Sequence, residues 1–305
     1  MSYDPYWNNV AFLMQPNGPV GSTAFVDVKG HAISAGGNAR HENAPAGLFG
    51  GTCAYFDGSG DYLQAYDASP FLSFDTPYTV EFFFNCDSQY NALASFYSQA
   101  VNQLGTWSVG VQNGGTAQID IVGGGSTGGS SLNSNTWKYM AISCEGVRVR
   151  VYAGAVSGGT ASIVMDFYRN NVSGCNWLTI GGGRYYSERW LRGYIGPFRM
   201  TKGVGRYTAN SIAIPTEPFP AAGPLYVGGG VVDAAGNLAV SRPIYVYQRS
   251  TGALLGSAST TAAGTFQIGL PLTAPEDVFV VCLDDAAGDV LPALIHDRVT
   301  PSSLV

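Results

Sequence analysis

Glu81 and Asp120 are the carboxylates best placed for acid–base chemistry, since each sits between apolar residues in a strand-like run, Thr79-Val-Glu-Phe-Phe83 and Gln118-Ile-Asp-Ile121. A sandwich glycosidase needs two such groups, one to protonate the leaving oxygen and one to attack, about 5–5.5 Å apart in a retaining enzyme. On one strand that means acids two or four residues apart, and neither Glu81 nor Asp120 has such a neighbour. Glycoside hydrolysis is disfavoured, the chain is read as no enzyme, and no catalytic residue is assigned. Asp57, Asp61 and Asp67 are close enough in sequence to surround calcium, which wants several hard oxygens. They read instead as solvated aspartates of a hairpin turn, so no cofactor is expected and calcium, though allowed, is unsupported. His31, His41 and His296 share no ligand spacing and read as surface or singly hydrogen-bonded histidines, leaving no metal site. Residues 123–128 satisfy G-x-G-x-x-G, and 124–128 satisfy G-x-S-x-G. Both chemistries require a helix directly after the glycines, and Gly129-Ser-Ser-Leu-Asn133 cannot begin one. That run reads as a flexible loop between strands.

The remaining candidate is aromatic. Arg184-Tyr-Tyr-Ser-Glu-Arg-Trp190 joins two strands and offers rings that can stack on a sugar face or on a protein partner. Arg184, Tyr185, Tyr186 and Trp190 are therefore the candidate ligand-binding residues. A loop folded back over the core is an equal alternative.

The elements that must position these residues are strands. Tyr78-Thr-Val-Glu-Phe-Phe-Phe84 alternates, with Val80, Phe82 and Phe84 on one face and Thr79, Glu81 and Phe83 on the other. Strands are also expected at 10–14, 23–28, 52–56, 62–65, 93–97, 106–111, 117–122, 136–144, 147–152, 163–167, 177–180 and 191–200. Residues 31–51 read mainly as loop, and Asp57-Gly-Ser-Gly-Asp61 as a hairpin turn into residues 62–65. Many short strands with Gly, Ser and Asn turns and no sustained helical period indicate a jelly-roll sandwich. Residues 193–220 close it: a last strand, a glycine turn at 202–206, then an exit held extended by Pro215, Pro218 and Pro220. Arg199, Lys202 and Arg206 there fall on loop and strand-edge positions, not in a basic ligand site. From Gly223 a second set of short strands begins, the size of a small immunoglobulin-like or transthyretin-like sandwich.

The composition agrees. Only 12% of the 305 residues are charged, well below the ~25% usual for soluble domains, while 46% are hydrophobic. A net charge of -6 argues against binding a phosphate backbone. No apolar run approaches the ~20 residues of a membrane-spanning helix, so no membrane insertion is expected. Cys53, Cys86, Cys144, Cys175 and Cys282 are widely spaced and odd in number, and read as buried free thiols. The start, Met1-Ser-Tyr-Asp-Pro-Tyr-Trp7, has no secretory pattern.

Several stretches together resemble the concanavalin A-like, laminin G-like sandwich family. They are Asp57-Gly-Ser-Gly-Asp-Tyr-Leu63, Tyr78-Thr-Val-Glu-Phe-Phe-Phe84, Asn135-Thr-Trp-Lys-Tyr-Met-Ala141, Leu178-Thr-Ile-Gly-Gly182 and Gly193-Tyr-Ile-Gly-Pro-Phe-Arg-Met200. The run Arg199-Met-Thr-Lys-Gly-Val-Gly-Arg-Tyr-Thr208, ending in Pro218-Phe-Pro220, is similar to the version found in tailed-bacteriophage virion proteins, as is Asp4-Pro-Tyr-Trp-Asn-Asn-Val10. Gln15-Pro-Asn-Gly18 departs from that version's usual His-Phe-Asp-Gly, which removes a carboxylate. Val231-Val-Asp-Ala-Ala-Gly-Asn237, Arg249-Ser-Thr-Gly-Ala-Leu254 and Gly264-Thr-Phe-Gln-Ile268 resemble the carboxypeptidase-regulatory or transthyretin-like module of phage tail proteins.

The expectation is an all-β chain: a large concanavalin A-like jelly-roll sandwich at residues 1–222, then a small immunoglobulin/transthyretin-like β-sandwich at 223–305. The resemblance implies a virion protein assembled in the host cytoplasm, in the tail tip, baseplate or fibre. It would serve attachment by binding a cell-surface saccharide or other virion proteins, as a homo-oligomer and without nucleic acid. A capsid or tail-tube decoration protein without glycan binding is one alternative, and a surface-polysaccharide depolymerase another.

Overall fold

The computed structural model describes residues 4–67, 76–87, 91–97, 107–111, 117–121, 124–128, 132, 135–168, 176–182, 190–223, 225–232, 241–270, 277–283 and 294–301. The chain forms two compact units, residues 8–219 and residues 1–7 with 220–305. Both are built from antiparallel strands.

In the larger unit, one sheet of nine described strands runs in the spatial order Ser211–Ala213, Thr160–Tyr168, Arg148–Ala155, Lys138–Glu145, Tyr78–Cys86, Arg192–Lys202, Thr52–Asp57 and Arg40–Asn43, with Val10–Met14 pairing against Arg192–Lys202. A second sheet of seven described strands follows the order Gly124–Gly128, Ala117–Ile121, Trp107–Val111, Asn91–Tyr97, Trp177–Ile180, Tyr62–Tyr66 and Ile33–Gly36. The core lies between them. Val80, Phe82 and Phe84 point into it from the first sheet, and Leu63, Leu178 and Ile180 from the second. Phe82 stacks on Phe198 with ring centroids 5.1 Å apart, and Phe198 meets Phe12 edge-on at 6.0 Å. Each such ring, fully removed from water, contributes about 2–3 kcal/mol. The long Arg192–Lys202 strand tolerates Pro197 because its pairing with Tyr78–Cys86 shifts register between Ile195 and Phe198, where a ladder N–H is not needed.

The other face of Tyr78–Cys86 is covered as well, which is why all nine of its residues are buried. Before Pro215 the stretch after Lys202 does not yet leave the sandwich. It turns back over the sheet and is sewn to it. Thr79 Oγ1 donates to the Val204 carbonyl at 3.0 Å and accepts from the Arg206 N–H at 2.9 Å. The Tyr207 N–H donates to Ser143 Oγ at 3.0 Å, and the Tyr152 hydroxyl to the Ala209 carbonyl at 2.7 Å. Ser211–Ala213 then adds an edge strand against Thr160–Ser162. Polar residues on the sheet's outer face therefore serve as anchors for a strap, and Pro215 and Pro218 keep it extended beyond that strand.

Four further expectations change. Residues 23–28 form isolated bridges at Val26 and Asp27, because the Asp27 carboxylate takes the N–H groups of Leu13, Lys29 and His31 and turns the chain. Residues 31–51 contain two edge strands, Ile33–Gly36 and Arg40–Asn43, whose polar and glycine residues hide their β character. The 57–61 turn is not a hairpin. Thr52–Asp57 and Tyr62–Tyr66 belong to different sheets, and the turn is the corner between them. The glycines at 124–128 form an edge strand against Ala117–Ile121 and not a loop.

The smaller unit has six described strands. Leu225–Gly230 pairs with Thr265–Leu270, and a second sheet runs Leu254–Ser259, Pro243–Gln248, Val278–Cys282, Leu294–Val299. Val227, Ile244, Val246, Ile268, Leu270 and Val278 form its core. Among the described cysteines Cys53, Cys86 and Cys144 are buried free thiols and Cys282 is partly exposed; Cys175 lies outside the described residues. Burial pushes the Cys53 and Cys86 thiols up to about 12, so both are unreactive. Among the described residues no helix is long and apolar enough to cross a membrane.

Candidate functional site

On Tyr62–Tyr66, Leu63 and Ala65 face the core, so Tyr62, Gln64 and Tyr66 are left on the outer face of the seven-stranded sheet. Their cross-strand partners on one side are Gly36 and Ser34, and on the other Gln64 faces Thr179 while Tyr66 faces Trp177. Register alone thus assembles tyrosine, amide, hydroxyl and indole on one surface. Tyr62, Gln64, Thr179 and Trp190 line a recess of about 310 Å³ there, within the range that holds small ligands.

Two glycines set the rings. A Cβ on Gly36 would lie 2.3 Å from Cζ of Tyr62, and one on Gly182 would lie 2.7 Å from Cζ3 of Trp190. Both rings therefore lie against bare backbone, Trp190 through its bridge with Gly182. The Tyr62 and Trp190 rings are near-parallel, 27° apart, with centroids separated by 6.3 Å. In the same recess, Thr179 is 3% exposed and its Oγ1 has no hydrogen-bond partner. A buried hydroxyl left unpaired costs about 1–3 kcal/mol, and this one belongs to a residue that lines the recess. Trp190, picked out in the sequence as a ring on a loop, lines this recess. Arg184, Tyr185 and Tyr186 lie outside the described residues. Tyr62, Gln64 and Thr179 carry no local signal; they share a face only through the alternation of 62–66 and its pairing with Trp177–Ile180.

Glu81 lies on the other sheet, fully buried beneath the strap. Arg199 is directly opposite it in register and bonds Oε1 through Nε at 3.0 Å and through a terminal nitrogen at 2.9 Å. Oε2 accepts from the hydroxyls of Tyr139 at 2.6 Å and Tyr207 at 2.8 Å. Burial first, and the Glu81 charge next, push both tyrosine hydroxyls up, which keeps them protonated as donors. The Arg206 Nε stands 3.7 Å from Oε1 and donates to Thr201 Oγ1 at 2.7 Å. The Arg199 guanidinium also packs over the Phe219 ring at 4.2 Å. Arg199 is therefore a buried residue inside a central strand and not a loop or strand-edge residue, whereas Arg206 does lie on the loop after the strand, and both join one ion-pair network. Both Glu81 oxygens are thus occupied by donors of the protein itself. Asp120 belongs to the opposite sheet, so the two do not face each other across one sheet.

The aspartates and histidines also have structural partners. Asp61 is fully buried and not solvated, its carboxylate accepting from the N–H groups of Asp57 and Asn38 at the corner between the sheets. His31 uses both ring nitrogens, Nδ1 on Asp27 and Nε2 on Asp67 at 2.9 Å, so it is doubly bonded and not single. His41 is buried, stacks on Phe25 with centroids 4.1 Å apart, and makes one bond from Nε2 to the Ala24 carbonyl. Among the described residues no cluster of His, Cys, Asp and Glu could hold a metal ion.

This two-sheet sandwich has the concanavalin A-like fold. Residues 57–204 match the family described as the Concanavalin A-like lectin/glucanases superfamily, so the chain carries a domain of that class. No curated protein matches the chain. Among solved structures it is similar to Trypanosoma rangeli sialidase in complex with 2,3-difluorosialic acid, at 12% identity and a TM-score of 0.48, over 67% of this chain and 32% of that one. It thus spans about a third of the sialidase's length. It is also similar to domain 4 of AbnA, a GH43 extracellular arabinanase from Geobacillus stearothermophilus in complex with arabinotriose, at 13% identity and a TM-score of 0.45, over 64% of this chain and 93% of that one. A third likeness is to the binding domain of botulinum neurotoxin serotype D, at 11% identity and a TM-score of 0.45, over 92% and 72% of the two chains.

Proposed function

We propose that the protein is a non-enzymatic binding module of a tailed-phage virion, carried in the tail tip, baseplate or fibre, and that it attaches the particle by binding a cell-surface saccharide in the Tyr62–Gln64–Thr179–Trp190 recess. The observation that carries the saccharide reading is the buried, unpartnered Thr179 hydroxyl in a recess lined by two aromatic rings that lie on glycines. A pyranose offers the matching chemistry: C–H faces for the rings, and hydroxyls for Thr179 Oγ1 and the Gln64 amide. The virion assignment rests on the resemblance of residues 193–220 and 4–10 to phage virion proteins. The same resemblance supports homo-oligomerisation and contacts to other virion proteins, with residues 223–305 as the transthyretin-like contact module.

Two experiments test this. The full chain, applied to a glycan array and to host cells, should be retained, and Tyr62→Ala with Thr179→Val should abolish retention. Equal retention of parent and variants would sink the recess as the site. Mass spectrometry of purified particles should detect the chain; its absence from intact virions overturns the virion reading.

A further inference from the structure

The recess occupies one end of an outer face that continues along the same two strands. Two residues beyond Gln64 stands Tyr66, 43% exposed, and directly across from it stands Trp177, half-buried. Their ring centroids are 4.7 Å apart with planes at 47°, so Tyr66 leans on the indole. Strand rise of about 3.3 Å per residue places Tyr66 about 13 Å from Tyr62 along the sheet. Gln64 and Thr179, in register with each other, lie between the two aromatic pairs.

We infer that Tyr66 and Trp177 form a second stacking subsite, and that the ligand is an oligosaccharide of at least three sugars laid along these strands and not a single terminal sugar. The inference rests on the reading of the recess as a saccharide site. An exposed tyrosine on a sheet face is unremarkable by itself. The case comes from its placement: a second aromatic pair in line with the first, on the same face, with polar groups between them. A monosaccharide cannot span that separation and touch both aromatic pairs, whereas a short chain whose sugars present alternating C–H faces and hydroxyls spans it. Such a chain would meet aromatic, polar and aromatic surface in turn, the order in which residues 62, 64 and 66 present them.

The test uses the full chain and the glycan most strongly retained on the array, supplied as its fragments from monosaccharide to pentasaccharide. Calorimetric titration should show affinity rising about tenfold between disaccharide and trisaccharide or longer, the upper end of a single aromatic contact. Tyr66→Ala should remove that gain and leave monosaccharide affinity unchanged, whereas Tyr62→Ala should weaken every length. The indole quenching that longer fragments add beyond the monosaccharide's effect on Trp190 should disappear in Trp177→Phe, a readout that a general loss of stability would not reproduce. Affinity independent of length, or a Tyr66→Ala variant that weakens the monosaccharide equally, overturns the second subsite while the recess stands. Binding at all lengths that is untouched by Tyr62→Ala and Thr179→Val overturns the recess itself.

Discussion

Thr179→Val should make the protein more stable and a worse binder. Thr179 sits mid-strand, 3% exposed, with Leu178 and Ile180 on either side facing the core. Its Oγ1 has no partner, so folding removes that hydroxyl from water without compensation, a cost of about 1–3 kcal/mol. Valine has nearly the same shape, the same β-branching and a high preference for strands, so no cavity or rotamer strain offsets the gain. A net stabilisation of about 1 kcal/mol is expected, which for a domain of this size raises the melting temperature by about 2–4 °C. In the bound state the sign reverses, because the ligand loses a hydrogen bond and leaves its own group unpaired, so affinity should fall about tenfold. Differential scanning calorimetry of the full chain and saccharide titration, run on the same preparation, read both quantities. Thr179→Ser, which keeps the hydroxyl, should retain most of the affinity. A destabilised Thr179→Val would mean the hydroxyl is satisfied within the protein. A stabilised variant with unchanged affinity would mean that the hydroxyl serves no ligand. Either result refutes the reasoning.

Other outcomes follow from the same geometry. Gly36→Ala should lower saccharide affinity about tenfold with little change in melting temperature, since its Cβ displaces the Tyr62 ring while alanine suits a strand slightly better than glycine; calorimetry and titration separate the two effects. Glu81→Gln should destabilise the larger unit by about 3–5 kcal/mol, because Arg199, only 5% exposed, keeps its charge and loses its counter-charge. Urea denaturation measures that loss, and limited proteolysis should cut within residues 203–219 sooner than in the parent. A variant as stable as the parent would contradict the ion-pair account. Burial holds the His41 imidazole below its ordinary 6.5, with the bond to Ala24 only partly opposing. The folded state thus carries His41 neutral while the unfolded chain protonates near 6.5. The resulting stability is whole above that pH and declines as pH falls through it toward the lowered folded value. Denaturation at pH 7.5 and 5.5 should show His41→Phe, which keeps the stack on Phe25, losing less stability than the parent.

What was legible in the sequence is what neighbouring residues decide. The alternation of Val80, Phe82 and Phe84 with Thr79, Glu81 and Phe83 named the two faces of the central strand, because side chains on a strand must alternate. The indole of Trp190 stands out in the sequence as an aromatic on a connection. Local patterns failed where pairing partners decide. The 57–61 turn has the residues of a hairpin, yet its flanking strands enter different sheets once Asp61 is buried at the corner. The glycines at 124–128 have no strand preference of their own and pair only because Ala117–Ile121 offers an edge. Glu81 looked solitary because its counter-charge is 118 residues away, and only the register of Tyr78–Cys86 with Arg192–Lys202 sets Arg199 opposite it. The recess is the clearest case. Tyr62 and Gln64 are separated from Thr179 and Trp190 by more than a hundred residues, and no spacing rule connects them. Composition and alternation established a two-faced β-protein with aromatic residues to spare. Which of those rings share a face with a hydroxyl that lacks a partner was decided by strand register, because cross-strand neighbours are fixed by backbone pairing between distant segments.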